Sequence, residues 1–347
     1  MSTLDLREAL ARAADRRDLS ADDMAAVVGQ IMDGQATPAQ IGGLLVALRM
    51  KGETVDELVG AARAMRARMV GVDFSDETMV DTCGTGGDGS RSVNVSTIAA
   101  FIVAGAGVVV AKHGNRAQSS QSGSHDVIEA LGLDPAPGPA LAARCLREAK
   151  LAFLFAPAHH AATRHAAGPR KEVGLRTFFN LLGPLTNPCG ARFHVNGIFS
   201  RERCELLARA HAALGSRRAL VVHGAGALDE FAPAGATFVA ELDEGAVRSY
   251  ELRPADFGLE ESDPAGLRGG TPADNARLAL DILGGGGPEA ARNASLMTAA
   301  AALYVTGAAV DLRAATAAAR ATLGGGALGV LEALRRIAPR SAPAPTP

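Results

Sequence analysis

Ten residues, DTCGTGGDGS at positions 81–90, carry the four glycines Gly84, Gly86, Gly87 and Gly89. The run satisfies G-x-G-x-x-G, the pattern by which a glycine-rich turn lets backbone approach a pyrophosphate. A dinucleotide site asks for more. A helix should open directly on the loop, and an acid should end the next strand to hold the ribose hydroxyls. Here SRSVN (90–94) intervenes before a helix start near Ser96, and the next strand ends in Lys112. NAD is therefore disfavoured; an NADP-like arrangement and a plain strand-to-helix turn both remain open on spacing alone.

The flanking residues supply anion chemistry. NVST (94–97) sets Asn94, Val95, Ser96 and Thr97 at a helix N-terminus, where free N–H groups and the helix dipole favour phosphate. KHGNR (112–116) brings Lys112 and Arg116, and SSQSGS (119–124) adds four hydroxyls before another helix. Three successive strand ends thus offer phosphate-type donors, and open parallel sheets bind ligands at such ends. The succession implies a ligand with more than one phosphate. Further on, GALDE (226–230) places Asp229 and Glu230 after the apolar run ALVVHG. Adjacent carboxylates suit hard, oxygen-seeking Mg²⁺, though an isolated pair is also an ordinary solvated turn. Arg170 could clamp a carboxylate or simply pair with its neighbour Glu172. His113 and His160 could act as bases or as hydrogen-bonded structural residues.

These residues must be positioned by the surrounding elements. Residues 1–72 read as a small helical domain. Ser20-x-x-Asp23, Thr37-Pro38-x-Gln40 and Thr54-x-x-Glu57 each write a helix start, with Gly34 and Gly52 as stops. From about 78 short apolar runs alternate with glycine loops and helical stretches. Strands are expected at 79–82, 107–112, 151–155, 193–198, 218–223, 236–241 and 246–251, the last two as a hairpin turning at Asp243–Gly245. Helices are expected at 96–105, 124–131, 273–283, 287–306 and 311–337. The fold class is α/β: a small N-terminal helical domain plus a large α/β domain with a mostly parallel central sheet covered by helices. Helices near 171–190 are expected to join the small domain. The large one then takes 77–170 and 191–338, and a Pro/Ala-rich tail, 339–347, is read as disordered.

Composition narrows the classes. A chain of 347 residues, 48% hydrophobic and 21% charged, suits a soluble protein of two domains. A net charge of −2 gives no broad basic surface, so nucleic acid is not expected as a partner. Cys83, Cys145, Cys189 and Cys204 form no C-x-x-C pair, which fits reduced thiols in a cytoplasmic protein. Neither a signal peptide nor a membrane span is read.

GTGGDG, NVST, KHGNR and RTFFNLLGPLTNP (176–188) together resemble the anthranilate phosphoribosyltransferases. The likeness runs over almost the whole chain, from GGLLVALRMKGET (42–54) to GGTPADNARLAL (269–280) and AAALYVTG (300–307). It implies transfer of ribose 5-phosphate from phosphoribosyl pyrophosphate to the amine of anthranilate in tryptophan biosynthesis, with Mg²⁺, by a homodimer. By resemblance, Gly84, Gly87, Asp88, Ser92, Asn94, Val95, Ser96, Thr97, Lys112, His113, Gly114, Asn115, Arg116, Ser119, Ser120 and Ser124 line the phosphoribosyl pyrophosphate site. Gly84, Asn115, His160 and Arg170 face anthranilate, and Ser96, Asp229 and Glu230 match the metal positions. Lys112 and Arg116, as cations beside the leaving diphosphate, are the catalytic candidates. Thr163 departs from the Met expected there, and NASLMTAA (293–300) from a Leu-Leu-Asn run; both bear on packing and the rim. Two rivals remain. A pyrimidine nucleoside phosphorylase should show a Lys-x-Ser-Gly-Arg segment in place of KHGNR. A non-catalytic nucleic-acid-binding relative should lack both KHGNR and LDE.

Overall fold

Side-chain caps set the starts of the first helices. The computed structural model describes residues 4–86, 89–116 and 122–340. Helices α1 (Leu6–Ala14), α2 (Ala21–Met32), α3 (Pro38–Lys51) and α4 (Val55–Arg66) fill its N-terminal region. Ser20 accepts the Asp23 N–H at the start of α2, and Thr37–Gln40 and Thr54–Glu57 form reciprocal boxes at α3 and α4. Where α4 crosses α2, a Cβ on Gly60 would lie 2.2 Å from the Ala21 carbonyl oxygen, so only glycine permits this approach.

From Val80 strands and helices alternate. In order they are β1 (Val80–Asp81), α5 (Val95–Gly105), β2 (Val110–Gly114), α6 (Ser124–Ala130), α7 (Pro139–Ala149) and β3 (Leu151–Phe155). Then come α8 (Ala156–His159), α9 (Arg164–Val173), α10 (Phe179–Leu185), β4 (Phe193–Gly197), α11 (Cys204–Ala213) and β5 (Arg218–Gly224). The chain continues through β6 (Thr237–Asp243), β7 (Ala246–Leu252), α12 (Pro272–Leu283), α13 (Glu289–Val305), α14 (Leu312–Ala321) and α15 (Gly326–Ile337). Among the described residues the strands form one sheet in the order β3-β2-β1-β4-β5-β6-β7. The first five are parallel, and β6 and β7 are antiparallel additions, with Asp243 opposite Ala246 at the expected hairpin turn. The α/β class read from the sequence is the one observed.

Two cores flank the sheet. One joins α5, α7 and α12–α15 to one face; α5 is apolar all round because it is buried on every side. The other runs from α1–α4 through Ala166, Phe178 and Leu181 to α11 and the opposite face at Val221 and Ala240. The helical region is thus packed onto the sheet through α10 and α11. Arg66, half-buried on α4 without a carboxylate partner among the described residues, donates to the Leu185 and Leu214 carbonyls at the ends of these two helices.

Two elements differ from expectation. The stretch 311–337 is two helices, α14 and α15, because Gly324 adopts φ +74° and the glycines at 324–326 end the first. Strand β2 begins at Val110, three residues late, after Gly107 turns at φ +95°. At the C-terminus Pro339 bridges Leu133, and the Arg340 N–H donates to the Gly132 carbonyl at 2.9 Å. The rest of the expected tail, 341–347, lies outside the described residues.

Candidate active site

Strand β1 lies at the middle of the parallel part of the sheet. The chain runs outward from it to β2 and β3 on one side and later to β4 and β5 on the other. The carboxyl end of β1 is therefore the point where strand order reverses, and ligands of open α/β sheets bind there. The glycine loop begins at that end. It is tied to β4 by the Thr85 N–H, which donates to the Gly197 carbonyl at 2.8 Å, and it turns at Gly86 with φ +63°.

Strand β2 presents consecutive residues to opposite faces, as the pleat requires. Lys112 turns toward α5 and is only 2% exposed. Its Nζ donates to the Thr82 carbonyl and the Ser96 hydroxyl, both at 3.2 Å, and Asp81 supplies an opposite charge nearby. A buried ammonium needs such partners. Ser96 thus receives a cation on one side while standing in the first turn of α5.

His113 turns to the other face. Its Nδ1 donates to the Gly183 carbonyl of α10 at 3.0 Å, and its ring lies 5.1 Å from that of His160. Burial drives both rings toward neutrality, to a pKa of about 3 for His113 and about 4 for His160. On α9, Arg170 rests over the Phe179 ring of α10 at 4.9 Å. Among the described residues no carboxylate pairs with its guanidinium, so the expected alternative of a pair with Glu172 is not what forms.

Asp229 packs on this end of the sheet. A Cβ on Gly197 would fall 1.5 Å from the Asp229 carbonyl oxygen, so the Asp229 backbone lies flush on β4. Asp229 Oδ2 comes within 3.8 Å of the Cβ position of Gly84, which seats the carboxylate against the glycine loop. Asp229, Glu230 and the Ser96 hydroxyl are all hard oxygen donors, and such a set fits Mg²⁺. Asp81, Cys83 and His113 also converge, with ligand-type atoms within 4.8 Å. They are otherwise engaged: Asp81 accepts the His113 N–H at 3.1 Å and Asn187 Nδ2 at 2.7 Å, and burial pushes the Cys83 thiol up.

The remaining candidates divide. Asn94 does not cap α5; its amide donates to the Ser122 carbonyl at 3.3 Å and its oxygen accepts from Asn275 at 2.9 Å. Val95 and Thr97 are buried in the same helix start, and Ser92 bridges Arg268. Ser124 donates to the Asn115 carbonyl at 3.1 Å and closes on Gly114, where a Cβ would lie 2.5 Å from its oxygen. Arg116 is committed to Asp126 at 2.8 Å and Glu129 at 2.9 Å on α6, not to Lys112 or Ser96. Gly87, Asp88, Ser119 and Ser120 lie outside the described residues.

Residues 76–328 match the glycosyl transferase family a/b domain, and 7–69 match the helical bundle domain of the same family. The anthranilate phosphoribosyltransferase of Desulforudis audaxviator is 52% identical over 323 residues, 93% of each chain. The chain belongs to the anthranilate phosphoribosyltransferases. A Thermus thermophilus structure in this family superposes with a TM-score of 0.90 at 40% identity, over 95% of this chain and 98% of that one. The Saccharomyces cerevisiae enzyme in complex with phosphoribosyl pyrophosphate and Mg gives 0.86 at 28% identity, over 96% and 97%. Among the described residues no helix is long and apolar enough to cross a membrane.

Several residues that shape this family's site here went unread in the sequence. Asp81 and Asn187 tie β1, β2 and the segment after α10 together, Asn187 also donating to the Ala111 carbonyl at 2.8 Å. Gly269 and Asn275 abut the glycine loop: the Gly269 N–H donates to the Arg91 carbonyl at 2.9 Å, and Asn275 Oδ1 accepts the Gly270 N–H at 2.7 Å. The only signal was that each sits inside a quoted motif, DTCGTGGDGS, TNP or GGTPADN.

Six buried histidines, held neutral by desolvation, predict a loss of stability in acid. Desolvation lowers His113, His125 and His194 to about 3 and His160 to about 4, and also lowers His159 and His211. Because the folded pKa values lie below the unfolded one, the unfolded chain binds more protons. The stability is complete above about pH 6.5 and is lost as pH falls toward 4, by about 1.4 kcal/mol per pH unit per histidine. Asp81, raised by burial to about 6, opposes this with one group. The melting temperature should therefore fall steeply between pH 7 and pH 5; a flat profile there would contradict the neutral histidines.

Proposed function

We infer that this chain transfers the 5-phosphoribosyl group of phosphoribosyl pyrophosphate to the amine of anthranilate, releasing pyrophosphate, in tryptophan biosynthesis. The observation that carries the reading is one meeting point. At the carboxyl end of the central strand, in a chain of this family, the glycine loop, the buried Lys112–Ser96 pair and the Asp229 carboxylate come together. Displacement at the anomeric carbon builds positive charge on the ribose and negative charge on the departing diphosphate. Lys112 is the catalytic cation, set beside the diphosphate and oriented by Thr82 and Ser96. Arg116 would join it only on leaving Asp126 and Glu129. The glycine loop with Gly84, Gly87, Asp88 and Ser92, the helix start at 94–97 and the serines at 119, 120 and 124 complete the phosphate cradle. Mg²⁺ held by Asp229, Glu230 and Ser96 would supply Lewis-acid stabilisation of diphosphate oxygens, in keeping with the yeast enzyme's complex.

Anthranilate is assigned to the α10 side of the sheet, against Gly84, Asn115 and His160, with its carboxylate on Arg170. The aromatic amine is neutral near pH 7, so positioning suffices and no strong base is required. Histidines with pKa values near 3 and 4 would be weak bases, which fits walls better than proton carriers. The units proposed to close on the ligands are 1–72 with 171–190, and 77–170 with 191–338. A second copy is proposed to cover the apolar groove between α1 and α3, where Leu10, Val46 and Met50 line a cavity of about 510 Å³ and Met50 is 71% exposed. The proposed compartment is the cytoplasm.

Loss of anthranilate fluorescence should require phosphoribosyl pyrophosphate and Mg²⁺ together; phosphorolysis of thymidine instead would favour the phosphorylase reading. Arg170→Ala should weaken anthranilate use by about 1–3 kcal/mol with little change for the diphosphate substrate. Equal losses for both would remove the clamp. Replacing Asp229 and Glu230 together should shift the Mg²⁺ dependence of turnover, and an unaltered titration would take them out of the metal site. Sedimentation should give twice the chain mass, and a monomer at assay concentration would refute the groove's partner.

A further inference from the structure

A hydrogen-bonded chain of buried side chains runs through the α11 side of the sheet and ends on the glycine loop. Ser216, in the turn between α11 and β5, lies 3.0 Å from His211 Nδ1. His211 Nε2 lies 2.8 Å from Asn196 Oδ1, and Asn196 Nδ2 donates to the Cys83 carbonyl at 2.7 Å. His211 and Asn196 are 0% exposed and Ser216 is 8% exposed. The last bond fixes every donor before it. Because Nδ2 faces a carbonyl, the Asn196 oxygen must be the acceptor, so His211 carries its proton on Nε2 and accepts from Ser216 on Nδ1. The imidazole is neutral, as its burial demands.

The bond at Cys83 has a consequence at the site. In a planar trans peptide the carbonyl and the following N–H point in opposite directions. With the Cys83 carbonyl drawn toward β4, the Gly84 N–H is aimed away from β4, to the side where Lys112 and Ser96 stand. The Thr85 N–H, one residue on, turns back to the Gly197 carbonyl, which matches this alternation. No ladder partner on β4 performs the task, because β1 ends at Asp81. A side chain replaces it.

We propose that Asn196, oriented by His211 and Ser216, is a positioning residue that aims the Gly84 N–H at the diphosphate of the sugar substrate. It touches neither substrate and acts through the loop. The proposal rests on the assigned reaction for its kinetic readout, so a second readout is independent of it.

The test compares Asn196→Leu, His211→Leu, His211→Gln and Ser216→Ala with the parent chain. Steady-state kinetics are measured in each substrate, and hydrogen–deuterium exchange of peptides spanning 80–90 is measured without substrate. Asn196→Leu and His211→Leu should raise the KM for phosphoribosyl pyrophosphate by about tenfold, the scale of a buried hydrogen bond lost. The KM for anthranilate should stay within about twofold, since that ligand is held chiefly through its carboxylate on Arg170 and the Gly84 N–H is aimed at the diphosphate. His211→Gln, whose amide can still donate to Asn196, should recover most of the loss. Ser216→Ala, the mildest change, should fold and still raise that KM by about threefold. Exchange at 80–90 should quicken in the three damaging variants and not in α1–α4. Equal losses for both substrates, a His211→Gln chain no better than His211→Leu, or unchanged exchange at 80–90 would each overturn the proposal. A parent chain that failed to turn over the substrates would sink the functional reading, while the exchange data would still decide the relay.

Discussion

A lysine ammonium that is 2% exposed at the centre of a sheet constrains everything around it. A buried ammonium needs oxygen partners, and the chain supplies the Thr82 carbonyl and the Ser96 hydroxyl, with the Asp81 carboxylate as an opposite charge nearby. Each partner in turn fixes an element. Thr82 sets the end of β1, Ser96 the first turn of α5, and Asp81 the start of the residues that follow Lys112 through the His113 N–H. The buried positive charge is therefore also what registers β1, α5 and β2 against one another.

The pleat then divides labour. Because Lys112 and His113 are adjacent, they face opposite sides of the sheet, one polar and cationic, the other lined by neutral rings and α10. A single strand end thus offers walls of two different characters, one on either face of the sheet. On the α10 side Arg170 supplies a guanidinium stacked on Phe179 and without a carboxylate among the described residues. Desolvation without a partner costs free energy, which a bound carboxylate would offset.

Much of this was legible in the sequence because the signals were local. Caps at Ser20, Thr37 and Thr54 announced α2–α4, and short apolar runs announced the sheet, although β2 runs on past Lys112 to Gly114. The illegible parts were long-range. Nothing near Asn187 shows that its amide reaches Asp81, and nothing near Asn275 shows that it holds Asn94 across the sequence. Arg116 read as a phosphate ligand because its partners on α6 lie ten or more residues onward. The break between α14 and α15 was written openly in three glycines, but the alanine-rich flanks masked it.

The bare hydrogen of Gly197 carries a further implication. With no side chain in the way, the peptide of Asp229 rests directly on the end of β4. The acidic pair therefore takes its position from the middle of the sheet. One added methyl group at 197 would lever the carboxylates off that seat.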